Sequence, residues 1–289
     1  MQQNRQLHGI MLILAAAFCF AGMNAFVRLS GDLPTFEKAF FRNFIAMLIA
    51  LISLAKHHTP IFISKENRPV VFFRALFGTI GLVANFYAID HLNLADANML
   101  NKLSPFFAII FSYYLLHERI RPLQALAVVG AFCGAMLIVK PTGAGMALIP
   151  GLVGLLGGMC AGAAYTLLRK ATKNGTNGTV VVFCFSAFSC LTMVPLMLGD
   201  FILPSGTQLI MLLMCGICGA GGQFAITAAY TFAPASEISI YDYSQVVFSA
   251  VLGFFLFGQL PDSLSLVGYV VIIAMAVLNF MLNKKAAEQ

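Results

Sequence analysis

Apolar residues run along this chain in blocks of about twenty, and charged, polar or Pro/Gly residues return between the blocks at nearly the same interval. A helix that crosses a bilayer needs a block of about that length. The blocks cover 7–28, 36–55, 70–90, 95–116, 122–140, 149–169, 178–199, 207–231, 236–257 and 263–283. The pattern predicts ten transmembrane helices and an all-α polytopic membrane protein. The first block, Gly9 to Val27, ends in Arg28 and carries no clear small-residue cleavage site, so it reads as a retained span.

The blocks also repeat. GIMLILAAAFCFAGMNAFVRLS (9–30) aligns without gaps on GLVGLLGGMCAGAAYTLLRKAT (151–172) at an offset of 142, and YAIDHLNLADANMLNKLSPFF (87–107) aligns on TAAYTFAPASEISIYDYSQVV (227–247) at an offset of 140. The chain therefore divides into halves, 1–143 and 144–289, of five spans each within one integrated transmembrane domain. An odd number of spans makes the second half enter the membrane upside down. In inverted repeats of this kind a solute site lies between the halves, and rocking exposes it to each side in turn. Chance similarity between Leu/Ala/Gly-rich helices is the competing account. GxxxG patterns at Gly130 and Gly134, Gly154 and Gly158, and Gly158 and Gly162 let helices approach closely, either as static packing or as a sliding interface.

Composition agrees with this picture. The chain is 60% hydrophobic and 10% charged, against about 45–50% and about 25% in soluble domains, which excludes an ordinary water-soluble core. The mean hydropathy is +0.89. The net charge of +6 comes without a basic run interleaved with aromatics, so nucleic acid is not an expected partner. With the N-terminus inside, Arg5, Lys56, Lys65, Arg68, Arg74, Arg119, Arg121, Arg169, Lys170, Lys173, Lys284 and Lys285 face the cytoplasm. Arg28, Lys38, Arg42 and Lys140 face outward, and Lys102 falls within a span. That asymmetry places both termini in the cytoplasm, with the protein in the cell (inner) membrane. The patterns Asn174-Gly175-Thr176 and Asn177-Gly178-Thr179 sit in a cytoplasmic basic loop and read as polar turns.

Polar residues inside apolar spans are functional candidates, because charge in a bilayer is costly. On span four Asn98, Asn101, Lys102 and Pro105 have i, i+3, i+4, i+7 spacing, which predicts one helical face. Ile238, Tyr241, Asp242 and Gln245 repeat that spacing on span nine at offset 140, so Lys102 corresponds to Asp242. Each is expected about 8–10 Å inside its own end of the membrane, Lys102 near the outer and Asp242 near the inner boundary, with no direct ion pair required. Lys102 would attract a carboxylate, and Asp242 an amine or a proton. A structural network between helices, or snorkelling of Lys102, are the alternatives. Pro105 is positioned to break the hydrogen bonding of span four and free a carbonyl. Asn24 and Tyr165, on repeat-related spans, and Asn85 and Tyr87 on span three offer further hydrogen bonds to a substrate or between helices. Arg42 and Arg74, near span ends, read first as interfacial anchors. Pro234 reads as a helix-start residue, and Glu118 as a cap on span four.

The segment FYAIDHLNLADANMLNKLSPFFAIIFSYYLLHERI (86–120), followed by the Gly130 helix, resembles the EamA family of the drug/metabolite transporter superfamily. In that family an Ala-rich third helix leads to a Pro in helix four and a Leu-x-Glu at its cytoplasmic end. Pro105 and Leu116-His117-Glu118 match these features. In the second half Gln245-Val246 stands where a Pro, and Gly258-Gln259 where a Glu, would be expected. The resemblance covers the whole chain and implies a ten-helix metabolite exporter or importer. Its partners would be a small-molecule substrate and the lipid bilayer, and a homo-oligomer stays open.

Other chemistries lack their residues. No HExxH, Gly-x-Ser-x-Gly or facing aspartate pair suggests an intramembrane enzyme, and no GxxxxGK[ST] loop suggests ATP-driven pumping. The seven cysteines lie in apolar stretches, and Cys215-x-x-Cys218 has no companion ligands. The methionines are scattered, and His57-His58 has no acidic partner, so neither a metal site nor a cofactor is expected. A facilitative channel or a membrane sensor remains the rival to a transporter.

Overall fold

A computed structural model describes residues 2–116, 122–140, 148–232 and 239–287. Among the described residues its regular elements are all helical: α1 (Gln2–Leu29), α2 (Thr35–Lys56), α3 (Arg68–His91), α4 (Leu94–Asn101), α5 (Ser104–Leu116), α6 (Pro122–Val139), α7 (Leu148–Lys173), α8 (Gly178–Met197), α9 (Gly206–Phe232), a 3₁₀ turn η1 (Ser239–Tyr243), α10 (Ser244–Phe257) and α11 (Ser263–Ala287). Among the described residues nine helices are long and apolar enough to cross a membrane. The tenth expected span, 95–116, is not one helix but two. α4 stops at Asn101 and α5 starts at Ser104. Span nine is likewise interrupted, with η1 leading into α10. Ser104 and Ser244, the first residues of α5 and α10, are 140 residues apart, so the backbone breaks obey the sequence repeat.

Packing obeys it too. The partnership of α1 with α9 has its mate in α7 with α3, that of α1 with α10 in α7 with α5, and that of α2 with α9 in α8 with α3; α2–α8 and α6–α11 are their own mates. The helices sort into two bundles, which meet along α2 and α8, and a peripheral pair. One bundle is α1, α2, α9 and η1/α10; the other is α3, α4/α5, α7 and α8; α6 and α11 flank them. Each bundle thus mixes both sequence halves. An even number of spans puts both termini at one face of the assembly, called here the termini face, with the α1–α2 and α3–α4 turns at the opposite face.

Small residues set these distances. A Cβ on Gly81 would lie 3.2 Å from the backbone of Gly157 and Ala161, and one on Gly268 2.7 Å from the Gly134 carbonyl oxygen. Gly158 is tighter, because its Cβ would fall 2.6 Å from the Leu100 carbonyl oxygen, at the point where α4 ends. At the rim Asp262 caps α11 by accepting from the Ser265 N–H at 2.9 Å and pairs with Lys140. The hydrogen bond from the Lys140 ammonium, more than the backbone one, holds the Asp262 carboxyl below the usual carboxylate range.

Gly158→Ala is therefore expected to destabilise the protein by about 1–3 kcal/mol, since the added methyl meets backbone. Gly199→Ala, with nothing within 4 Å of its Cβ, is expected to be neutral. Thermal unfolding in detergent checks the pair, and equal midpoints for both variants would contradict the close approach.

Candidate functional site

The two breaks meet. Lys102 is the residue capping the C-terminus of α4, where the carbonyl ends of a helix favour a cation; Asp242 precedes the N-terminus of α10, where the N–H ends favour an anion. The Lys102 ammonium and the Asp242 carboxylate form a direct ion pair. This corrects the expectation that they occupy opposite ends of the membrane. Lys102 caps α4, Asp242 lies in the 3₁₀ turn η1 that runs into α10, and the break in span four brings the lysine to the aspartate. Residues related by the repeat that touch each other lie on its pseudo-two-fold axis, so the pair marks that axis.

A polar web surrounds the crossing. Pro105 cannot donate, and the Phe106 N–H turns back to Leu103 at 2.9 Å, which leaves the Lys102 carbonyl unclaimed by its own helix. The Tyr243 hydroxyl donates to it at 3.1 Å. Asn98 Oδ1 accepts from Asn24 Nδ2 at 2.7 Å and from Gln245 Nε2 at 2.6 Å, while Asn98 Nδ2 donates to the Leu94 carbonyl at 2.7 Å. Asn24, Asn98 and Gln245 are all buried. Among the described residues Asp242 Oδ1 and Asn24 Oδ1 are buried without a hydrogen-bond partner. Tyr243 was not singled out by sequence; its place immediately after Asp242, matching Leu103 in the other half, was the available signal.

Other candidates fall elsewhere. Asn101 lies half-buried at the end of α4, with its backbone 3.6 Å from the Cβ position of Gly158. Tyr241 is 40% exposed. Asn85 is buried where α3 crosses Gly157. Tyr87 stacks on His91, ring centroids 4.1 Å apart, near the opposite-face end of α3. Pro105 lines a cleft of about 60 Å³ with Phe106, Ile240, Tyr243, Ala276, Asn279 and Phe280. Glu118 and Pro234 lie outside the described residues.

Arg42 and Arg74 are not interfacial anchors. They are 8% and 7% exposed, turned inward on α2 and α3. Arg42 donates to Asn43 Oδ1 at 2.7 Å, and Asn43 donates to Ser189 at 2.6 Å. The Arg74 guanidinium lies 4.4 Å over the Phe185 ring. Tyr165 is within electrostatic reach of Arg42, Arg74 and Asp242, yet 55% exposed.

Polar ties between the bundles concentrate at the crossing and toward the opposite face. Lys38 pairs with Asp90 at 2.8 Å, Arg28 donates to the Leu92 carbonyl at 2.7 Å, and the Leu94 N–H donates to Gln259 Oε1 at 3.0 Å. At the termini face, Asn67 donates to Thr176 at 2.8 Å and Lys170 to the Leu115 carbonyl at 3.2 Å, contacts that stay within one bundle.

Comparison with known proteins agrees with this architecture. The model of the EamA-like transporter family matches residues 7–140 and again 148–281. A pseudopaline exporter of Pseudomonas aeruginosa is 34% identical over 93% of this chain and 94% of its own length. Human solute carrier family 35 member G1 is 26% identical over 92% of this chain and 77% of its own. An S-adenosylmethionine uptake transporter of Rickettsia felis is 24% identical over 89% and 86%. One solved crystal structure superposes with a TM-score of 0.66 at 17% identity, covering 96% of this chain and 98% of that one, a likeness of fold. The chain belongs to the EamA-like transporter family and is an integral membrane protein.

Removing one member of a largely buried ion pair strands the other. Lys102→Ala and Asp242→Asn are each expected to lower stability by about 3 kcal/mol, with the double variant less destabilised than the two singles summed. Additive losses in a thermal-unfolding cycle would contradict the coupling.

Proposed function

We propose that this family member is a secondary-active or exchange transporter of a small polar metabolite, an amino acid or other zwitterion, working by alternating access about the Lys102–Asp242 crossing. The observation that carries the reading is the meeting of two repeat-related helix breaks, each with a charge, on the pseudo-two-fold axis. Broken helices at the centre of inverted repeats are where transporters of this design bind solutes and coupling ions.

The moving bodies in this reading are the two mixed bundles rather than the sequence halves. The ties at Lys38–Asp90, Arg28–Leu92 and Leu94–Gln259 hold the opposite face shut, and exposed Tyr165 marks a vestibule toward the termini face. With the termini in the cytoplasm, this is an inward-facing state. Asp242 is the candidate for proton coupling: protonation abolishes its attraction for Lys102 and releases one bundle from the other. Relatives named for export and for uptake share this architecture, so the fold serves either direction and the driving gradient decides. The two repeats favour alternating access over a channel, because a rocking site uses both.

Uptake and counterflow in proteoliposomes, with a labelled pool of amino acids and other small metabolites and an imposed proton gradient, tests this. Saturable, selective flux is expected. It should fall at least about tenfold in Lys102→Ala and Asp242→Asn, about 1.4 kcal/mol of lost stabilisation, and Asp242→Asn should no longer respond to the gradient. Wild-type rates in both variants at normal expression would overturn the roles given to the pair. Conductance without counterflow would point to a channel instead.

A further inference from the structure

Lys102 is neutralised by Asp242, so it is not the cation that a substrate finds unoccupied. The Arg42 and Arg74 guanidiniums are. Among the described residues no carboxylate lies within salt-bridge distance of either. Among the described residues the Nε of Arg42 and the Nε and Nη1 of Arg74 are buried without a hydrogen-bond partner, as is the hydroxyl of Ser186, which follows Phe185 on α8. Two cations within electrostatic reach of each other, buried and short of acceptors, are unfavourable unless an anion joins them.

The surrounding structure holds them ready for one. Arg42 is fixed through Asn43 to Ser189 of α8, and Arg74 is stacked on Phe185, one turn away on the same helix. A Cβ on Gly219 would come within 3.2 Å of Arg42 Nε, and one on Gly78 would collide with Arg74 Nη1, so two glycines leave the space these side chains fill. Tyr165, 55% exposed, stands within electrostatic reach of both arginines and of Asp242. Arginine suits the task because its planar fork matches carboxylate and phosphate oxygens two at a time.

We infer that Arg42 and Arg74 form the subsite for the acidic group of the transported solute, a small metabolite bearing a carboxylate or a phosphate. This rests on the transporter reading and revises which cation meets the solute. Arg42 lies on α2 and Arg74 on α3, helices of different bundles already tied at Asn43–Ser189, so an oxyanion held by both adds to the link between the two bodies.

The test uses the full-length protein in detergent, with thermal unfolding followed against L-glutamate, citrate and inorganic phosphate at ionic strength matched by sodium chloride. At least one oxyanion is expected to raise the midpoint saturably above the salt control. Arg42→Gln and Arg74→Gln should each weaken that response by about tenfold, and their combination should abolish it. Arg42→Lys and Arg74→Lys should retain part of it, while Lys56→Gln, at the far end of α2, should leave it intact. A response to glutamate or citrate alone identifies a carboxylate solute, and one to phosphate alone a phosphorylated solute. No oxyanion response in folded wild-type protein, or a response that survives in the double Gln variant, overturns the assignment. Counterflow separates the two claims: wild-type flux in the double Gln variant overturns the subsite and leaves transport standing. Arginine-dependent binding without flux in any direction overturns transport and leaves the subsite standing.

Discussion

A bilayer supplies no water to an unpaired backbone group or a lone charge, and this chain interrupts two of its spans with a charge at each interruption. The ion pair between Lys102 and Asp242, with the Tyr243 hydroxyl on the freed Lys102 carbonyl, is what makes those interruptions tolerable. Each break supplies what the other needs. The cation stands at a helix C-terminus, the anion at a helix N-terminus, and the repeat places them on a common axis. The rest of the assembly is arranged around that point: Asn24, Asn98 and Gln245 complete the polar web beside it, and the glycines of α7 let the end of α4 pack closely enough for it to form.

The repeat also decides what can move. Because α1 pairs with α9 and α3 with α7, the sequence halves are interlocked and cannot swing apart as units. The bodies proposed to rock are the mixed bundles, which meet along α2 and α8 and share polar ties at the crossing and toward the opposite face. The two inward-turned arginines lie one on each body. A solute anion there would be sensed by both at once, which is the differential interaction that any ligand-driven shift between two states requires.

The ten blocks and the two halves were legible because lipid imposes a length on every span and an inverted repeat leaves a constant offset; the starts of α5 and α10 match it to the residue. The break itself was less visible. Pro105 signalled a disruption, but proline is accommodated in the first turn of a helix, so it helps begin α5 and the chain bends three residues earlier, at Lys102. The i, i+7 spacing that joined Asn98 to Pro105 presumed one continuous helix. Arg42 and Arg74 were misjudged because distance from a span end says nothing about which way a side chain faces. The signal lay in their company: Lys38, Arg42, Ala46 and Ala50 recur every four residues and are all buried, the mark of a helix face turned to the protein rather than to lipid.

Whether the two mixed bundles move against each other about the crossing is decided by cross-linking in a background where the other native cysteines are replaced. Gly22→Cys places its Cβ 3.7 Å from the Cys218 sulfur and links α1 to α9 within one bundle; Lys38→Cys with Asp90→Cys, bridged by a short bifunctional thiol reagent, links α2 to α3 between bundles. Counterflow should survive the first link and stop with the second, recovering when a cleavable bridge is cut. Flux that persists through the α2–α3 bridge, or that stops equally with the α1–α9 disulfide, would contradict that motion.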